Sequence, residues 1–223
     1  MKRILIGILS AAVFAVACAD PAANKPKAQT SAPTANDVVQ TEAKKADVLS
    51  DFKANGTALE INADNSKVEF TGSKVTGKHD GGFKLFKGVI DLVGEKAESS
   101  RVLFEIEMSS VFTDTDGLTK HLRTGDFFEA EKYPKSTFES TKIESDMSKT
   151  SGNFTVTGKL EMRGVKKSVT FPATIAITPE NVLVAAEFSI NRKDFGIVYA
   201  GKADDLIRDD VVIRLELEAP RKK

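Results

Sequence analysis

The sequence predicts an all-β fold, an antiparallel sheet of about eight strands with one short helical insert. From Ala58 onward apolar and polar residues alternate, which places every second side chain on the same face of a strand. Turn signals that contain Gly, Pro or Asn separate these runs at the spacing of successive hairpins. Long helices do not alternate with the strands in this pattern, so a parallel α/β sheet is not expected.

The strand candidates follow one another from residue 59 to residue 219. In chain order they cover residues 59–62, 68–75, 82–93, 102–108, 138–145, 154–162, 169–177, 182–190 and 211–219. The turn signals between them are Gly94-Glu95-Lys96, Ser151-Gly152-Asn153, Arg163-Gly164-Val165 and Pro179-Glu180-Asn181. The helical insert is predicted at about residues 118–128. Strands with one apolar face form either a sandwich or a closed barrel, and periodicity alone does not choose between the two.

The first eighteen residues predict a bacterial lipoprotein signal. A basic dipeptide precedes a mainly apolar stretch at residues 4–16, which is too short to span a membrane as a helix. Small residues then lead to Cys18, the only cysteine in the chain. We expect cleavage after residue 17 and lipidation of Cys18, and the alternative is an ordinary secretory signal with an incidental cysteine. Ala19 rather than Asp follows the cysteine, which favours the outer membrane.

Residues 18–56 predict the lipidated cysteine followed by a flexible, disordered tether, with the folded domain at 57–223. The segment is rich in Ala, Pro, Thr, Lys and Asp, and it is too poor in large apolar residues to offset its chain entropy. A flexible tether of about 38 residues has an end-to-end reach of roughly 35 Å. We therefore expect a lipid-anchored domain on the periplasmic side of the cell envelope.

Composition argues against several classes of function. The 32 basic and 32 acidic residues leave no basic excess of the kind that nucleic acid binding needs. A single cysteine excludes an internal disulfide, and two histidines are few for a catalytic zinc site, so we expect no metal. A nucleophile elbow, a phosphate-binding loop and a dinucleotide fingerprint are all absent from the sequence. We expect a binding protein without a cofactor, not an enzyme.

Five motifs resemble the YceI-like family of periplasmic proteins. In family order they are His121–Phe128, Tyr133–Phe138, Val156–Val165, Asn191–Gly196 and Ile207–Val211. The resemblance extends over about residues 58–219, which is nearly the whole folded part. It implies an eight-stranded, lipocalin-like barrel that binds polyisoprenoids or other long-chain amphiphiles, and so it favours the barrel over the sandwich.

The alternation and the resemblance together give a set of candidate ligand-binding residues. The apolar lining candidates are Phe70, Phe104, Ile106, Phe154, Val156, Phe171, Phe188 and Ile213. His121, Phe127 and Phe128 are candidates at the barrel mouth, and Arg192 with Asp194 forms a candidate polar pair for a ligand headgroup. Each set also has a structural interpretation: a filled core, plugs of that core, and an ion pair that holds a turn.

The expected function is reversible binding, with possible carriage or storage, of one long-chain isoprenoid or fatty amphiphile at the bacterial envelope. At about 0.8 kcal/mol per buried CH₂, about ten methylenes approach micromolar binding before ordering costs. Two alternatives stay open: an enzyme or stress factor that acts on an envelope amphiphile, and a ligand-free interaction domain at the membrane surface. The exposed strand faces are also compatible with a homodimer, which some relatives form.

Overall fold

The computed structural model describes residues 19–32, 49, 52–148 and 151–221, and these form fourteen strands, one α-helix and two 3-10 helices. The strands are β1 (Gln29–Ser31), β2 (Thr57–Asn62), β3 (Lys67–Lys74), β4 (Gly77–Phe83), β5 (Phe86–Val93), β6 (Lys96–Glu107), β7 (Val111–Thr113), β8 (Lys135–Ser145), β9 (Asn153–Met162), β10 (Val165–Ile177), β11 (Asn181–Asn191), β12 (Gly201–Lys202), β13 (Asp205–Leu206) and β14 (Asp210–Pro220). Helix α1 is Asp116–Leu122, and the 3-10 helices are Met108–Ser110 and Arg192–Phe195.

Twelve of these strands form one antiparallel sheet, and β12 and β13 form a separate hairpin. Neighbours in the main sheet follow the order β2-β5-β6-β8-β9-β10-β11-β14-β3-β4-β7, and β1 pairs with β10 outside this path. The sheet curls on itself because β4 leads into β5 across Lys84 and Leu85, while β6 leads into β7 across the first 3-10 helix. Backbone hydrogen bonds from Glu107 to Leu85 (3.0 Å) and from Lys84 to Ser110 (3.2 Å) carry the pairing across both bends.

The predicted antiparallel β architecture is confirmed, but the strand number differs. Taken as single bent strands, β4 with β5 and β6 with β7 join β3, β8, β9, β10, β11 and β14 in a hydrogen-bonded circuit of eight. The sequence pattern merges β4 with β5 because residues 82–93 have no strong turn signal between them. The pattern also misses β1, β7, β12 and β13, since two or three residues are too few to show alternation.

Two of the predicted turns have the backbone conformation that tight hairpins need. Gly94 and Glu95 between β5 and β6 have φ values of 60° and 57°, and Arg163 and Gly164 between β9 and β10 have 51° and 72°. Positive φ at both central residues is typical of a type I′ turn, whose twist matches that of the flanking strands. These turns therefore set the register in which β5 meets β6 and β9 meets β10.

The helical insert is shorter than predicted. Helix α1 ends at Leu122, six residues before the expected end, and the chain turns back on itself at Thr124 and Gly125. The amide of Phe128 donates to the carbonyl of Leu122 at 3.0 Å, and the amide of Ala130 donates to Arg123 at 2.9 Å. These bonds use the carbonyl groups that a longer helix would pair in its next turn.

Residues 20–31, here called the N-terminal strap, lie against the barrel. The sequence predicts a flexible tether over 18–56, and the structure differs from that expectation in this segment. Ala22 and Ala28 are buried, β1 pairs with residues 168–170 of β10, and Lys25 forms an ion pair with Glu187 at 2.6 Å. Backbone pairing and ion pairs thus order a segment that lacks large apolar side chains.

The predicted signal peptide, Cys18 and the rest of the predicted tether between residues 33 and 51, apart from Leu49, lie outside the described residues. Among the residues that are described, no helix is long and apolar enough to cross a membrane.

The chain reaches β2 through a loop that Asp91 holds in place. The buried carboxylate of Asp91, on β5, accepts hydrogen bonds from the amides of Asn55 (3.0 Å) and Gly56 (2.7 Å). Arg101, opposite Asp91 on β6, donates to the same carboxylate at 3.0 Å, and its guanidinium lies 4.8 Å from the ring centroid of Phe52. Burial alone would raise the pKa of Asp91, but these donors together hold the pKa below its usual value.

Replacement of Asp91 should therefore destabilise the domain in a pH-dependent way. We expect Asp91→Ala to lower the free energy of unfolding by about 2–3 kcal/mol at pH 7, because two backbone amides and Arg101 lose a charged acceptor. The folded pKa of Asp91 lies below the unfolded one, so this contribution is complete above the unfolded value, near 4, and is lost as pH falls through the folded value. Urea unfolding of the unsubstituted protein and of Asp91→Ala from pH 7 to pH 3 measures the difference between their free energies of unfolding.

Asp64→Ala, which removes an exposed acid from the turn after β2, is the matched control. The role of Asp91 would be contradicted if Asp91→Ala lost no more unfolding free energy than Asp64→Ala, or if its loss did not change with pH.

Candidate ligand cavity

The barrel encloses a cavity with an almost wholly apolar wall. The cavity volume is about 180 Å³, measured as the space in which the centre of a water molecule can lie. A single buried water molecule needs about 10–15 Å³ of such space. The side chains of the barrel therefore leave internal space far larger than a packing defect.

Alternation along the strands builds this wall, because every second residue of each strand points inward. Seven of the eight predicted lining residues lie in it: Phe70, Phe104, Ile106, Val156, Phe171, Phe188 and Ile213. Phe154 does not, although it shares the alternation of Val156, since it is the second residue of β9 and lies next to the preceding turn. Ligand contact by these residues stays a prediction.

The wall contains apolar residues that the sequence interpretation did not select. Examples are Ile90, Phe138, Leu160 and Val184, each on the inward face of its strand. The signal that could have found them is the same alternation, applied to every strand without a preference for Phe. Aromatic rings of the wall also contact each other over β9, as between Phe138 on β8 and Phe171 on β10, whose ring centroids are 5.7 Å apart.

Few polar residues contribute to the wall, and the best defined of them have partners within the protein. Ser136 donates to the carbonyl of Glu161 at 2.7 Å, and Ser100 donates to the carbonyl of Lys96 at 2.7 Å. Arg101 is engaged by Asp91 as described above. A wall whose polar groups are already satisfied presents mainly apolar surface, and such surface favours a hydrocarbon chain over a polar solute.

The three candidates from the helical insert lie in a cluster that covers one end of the barrel. Phe127 is buried there, with its ring 4.9 Å from that of His121. The ring of Phe128 lies 5.9 Å from that of Phe83, which does line the cavity. His121 shares a hydrogen bond of 2.8 Å with Asp126. None of His121, Phe127 and Phe128 lies in the cavity wall, and their position corresponds to the plug interpretation.

Arg192 lies outside the cavity wall and holds backbone instead. Its buried guanidinium donates to the carbonyls of Ile197 (2.7 Å), Arg208 (3.0 Å) and Ile207 (3.2 Å). Burial lowers the pKa of Arg192, and the nearby carboxylate of Asp209, at 3.3 Å, acts in the opposite direction. Arg192 therefore ties the second 3-10 helix to the segment that precedes β14.

Asp194 also lies outside the wall, and it does not serve as the partner of Arg192. Its carboxylate accepts a hydrogen bond of 2.5 Å from the hydroxyl of Thr30 in the N-terminal strap. The expectation of one polar pair next to the pocket is thus replaced by two separate structural contacts. The sequence could not show this, because the spacing of Arg192 and Asp194 suits a local pair, whereas Arg192 bonds mainly to backbone carbonyls and Thr30 lies 164 residues from Asp194.

Among the described residues, no group of three or more His, Cys, Asp or Glu side chains is placed to hold a metal ion.

The chain resembles known proteins over most of the folded domain. The model of the YceI-like domain matches residues 59–219. A UPF0312 protein of Pseudomonas putida is 32% identical over 139 residues, which cover 60% of this chain and 71% of the relative.

Solved structures share the fold. BcnA of Burkholderia cenocepacia matches with a TM-score of 0.63 at 24% identity, over 71% of this chain and 99% of that one. A polyisoprenoid binding domain from Saccharophagus degradans matches with a TM-score of 0.59 at 18% identity, over 74% of this chain and 100% of that one. The YCEI protein of Campylobacter jejuni is 28% identical with a TM-score of 0.53, over 64% of this chain and 85% of that one. Fold and sequence lead to the same conclusion: this chain belongs to the YceI-like domain family.

Proposed function

We propose that the barrel binds one long-chain isoprenoid or related amphiphilic lipid, with the apolar tail inside the cavity. The observation that carries this proposal is the hollow interior, in which inward-facing apolar residues surround a cavity of about 180 Å³. The structural neighbour from Saccharophagus degradans, described as a polyisoprenoid binding domain, supports the choice of ligand class.

Burial of the tail supplies most of the binding free energy in this proposal. Each CH₂ group transferred from water to the cavity contributes about 0.8 kcal/mol before ordering costs. The satisfied polar groups of the wall offer little to a headgroup inside the barrel. The headgroup then sets the orientation of the ligand, and the length of the tail sets its affinity. Binding and release without chemical change suit carriage or storage of a lipid, and we propose this role rather than catalysis.

We also propose that Cys18 carries the lipid anchor and places the barrel at the periplasmic face of the outer membrane. The support is the order of the first eighteen residues: a basic start, a short apolar stretch and small residues before the only cysteine. Several acyl chains on one cysteine give stable attachment, whereas a single chain gives only marginal binding. A lipid-binding barrel held at a bilayer would exchange its ligand with that bilayer.

Two neighbouring residues of β11 allow a matched test of the cavity. Val184 lines the cavity, and Ala185 faces outward and is exposed. Val184→Phe adds a ring to the space that the tail would occupy, whereas Ala185→Phe adds a ring on the outer surface. We expect the affinity for geranylgeraniol, a C20 isoprenoid alcohol, to fall by about tenfold or more in Val184→Phe, equivalent to about 1.4 kcal/mol, and by less than about twofold in Ala185→Phe.

Native mass spectrometry measures the one-to-one complex in both variants, and urea unfolding verifies that both stay folded. The cavity proposal fails if folded Val184→Phe binds as tightly as the unsubstituted protein, or if the latter binds no geranylgeraniol at all.

The anchor is tested in cells that are fed an alkyne analogue of palmitate. We expect the unsubstituted chain to incorporate the label and to fractionate with the outer membrane, and Cys18→Ser to lose both properties. Ala19→Ser, which changes the next residue and keeps the thiol, should retain the label. Label on Cys18→Ser would show that the anchor, if any, lies elsewhere.

A further inference from the structure

The barrel wall is split between β10 and β11. These strands pair only near their shared hairpin, from Thr174 opposite Ala185 to Ile177 opposite Val182. If this register continued, Thr170 would lie opposite Ser189. Both strands do continue, β10 back to residue 165 and β11 on to residue 191, but they are not paired with each other in this region.

The N-terminal strap fills the split as an inserted wall strand. On one side Gln29 lies opposite Thr170 in the β1–β10 ladder. On the other side the amide of Ser189 donates to the carbonyl of Pro26, and the amide of Ala28 donates to the carbonyl of Ser189, both at 2.8 Å. The strap therefore bonds to the facing edges of both strands, at the two positions that the interrupted register would have joined.

The cavity lies directly behind the strap. Val169 and Phe171 on β10, and Phe188 and Ile190 on β11, flank the split and line the cavity. The rings of Phe171 and Phe188 are stacked across the split, with centroids 4.2 Å apart and an interplanar angle of 13°. Ala28 is buried in the same apolar cluster. The strap and the stacked rings thus form the outer and inner layers of the wall at this place.

The strap is held by fewer contacts than the other strands of the barrel wall. Its ladder with β10 has three residue pairs, whereas β11 and β14 pair over eleven residues. The two side chains of the strap that are buried are both Ala, which contribute little apolar area. Its ion pairs, Lys25 with Glu187, Lys27 with Asp210 and Asp20 with Arg208, all involve side chains that are about three-tenths or more exposed to solvent. Elements with few buried contacts open locally at low free-energy cost.

We propose that the N-terminal strap is a displaceable wall strand that gates lateral passage of the lipid between β10 and β11. The α1 end of the barrel is covered by the cluster that contains Phe127 and Phe128, so the split offers the tail a path that leaves this cluster intact. The inference rests on the proposed lipid binding, and its test therefore has one arm that needs no ligand.

Hydrogen exchange of the free protein is the first arm. The amide of Ala28 in the strap and the amide of Ser189 on β11 form the hydrogen bonds that join the strap to β11. The backbone amides that pair β11 with β14 serve as the internal control. We expect the amides of Ala28 and Ser189 to exchange at least about a hundredfold faster than the slowest amides of the β11–β14 ladder. Equal protection of the two sets overturns the gate, whether or not the protein binds lipid.

A reversible lock is the second arm. In full-length protein with Cys18→Ser, the pair Gln29→Cys and Thr170→Cys joins the strap to β10 at positions that lie opposite each other, within the reach of a disulfide. The control pair, Ala185→Cys with Glu216→Cys, joins β11 to β14 on the outer face without touching the strap. The measured quantity is the rate of uptake of retinol, a fluorescent isoprenoid alcohol, from phosphatidylcholine vesicles.

We expect oxidation to slow retinol uptake by about tenfold or more in the strap pair and by less than about twofold in the control pair. Reduction should restore the rate, which shows that the locked protein was folded. Uptake that is unchanged by the lock overturns the gate and leaves lipid binding intact. Absence of uptake in the reduced proteins contradicts the proposed function instead, and the exchange arm then decides the gate by itself.

Discussion

The structure depends on one constraint, the alternation of side chains along strands that are paired in a closed circuit. Each strand sends every second residue inward, and closure makes these residues share a single enclosed volume. Apolar inward residues then avoid water without contributing enough volume to fill the space between them. The hydrogen bonds between strands fix the distance across the barrel, so the wall cannot collapse to remove the space. Strand number and periodicity make the interior apolar, and the side chains present in this barrel leave part of it unfilled.

The boundaries of the cavity come from a different kind of interaction. At one end, the ring of Phe128, from the segment after α1, packs against that of Phe83, and in the wall the N-terminal strap occupies the split between β10 and β11. Arg192 and Asp194 belong to this second system, since one holds the segment before β14 and the other holds Thr30. With Cys18 acylated, as we propose, a docked strap brings the anchor close to the barrel surface. The long reach expected of a fully flexible tether applies only when the strap is displaced.

The parts of this arrangement that could be predicted from sequence are those with a local pattern. Alternation correctly placed seven of the eight predicted lining residues in the wall, and the Arg163-Gly164 pair correctly marked a tight turn, because each depends on residues that are neighbours in the chain. Phe154 was misplaced because alternation gives the face of a strand and not the depth along the barrel axis. The strap was missed because its order comes from backbone pairing with β10 and β11, which leaves no apolar period in residues 20–31. The contacts of Asp194 with Thr30 and of Asp91 with Asn55 and Gly56 could not be predicted either, because each joins segments that are distant in sequence.

The central claim is that the inward faces of the strands surround the bound tail. Isotope-filtered NMR on protein with ¹³C-labelled methyl groups, saturated with unlabelled geranylgeraniol, tests it directly. The account predicts intermolecular NOEs from the tail to the inward methyl groups of Val156, Leu160 and Ile213, and none to Leu183 or Val198, which are exposed. NOEs confined to Leu183 and Val198 would contradict it, because they would place the lipid on the outer surface of the barrel.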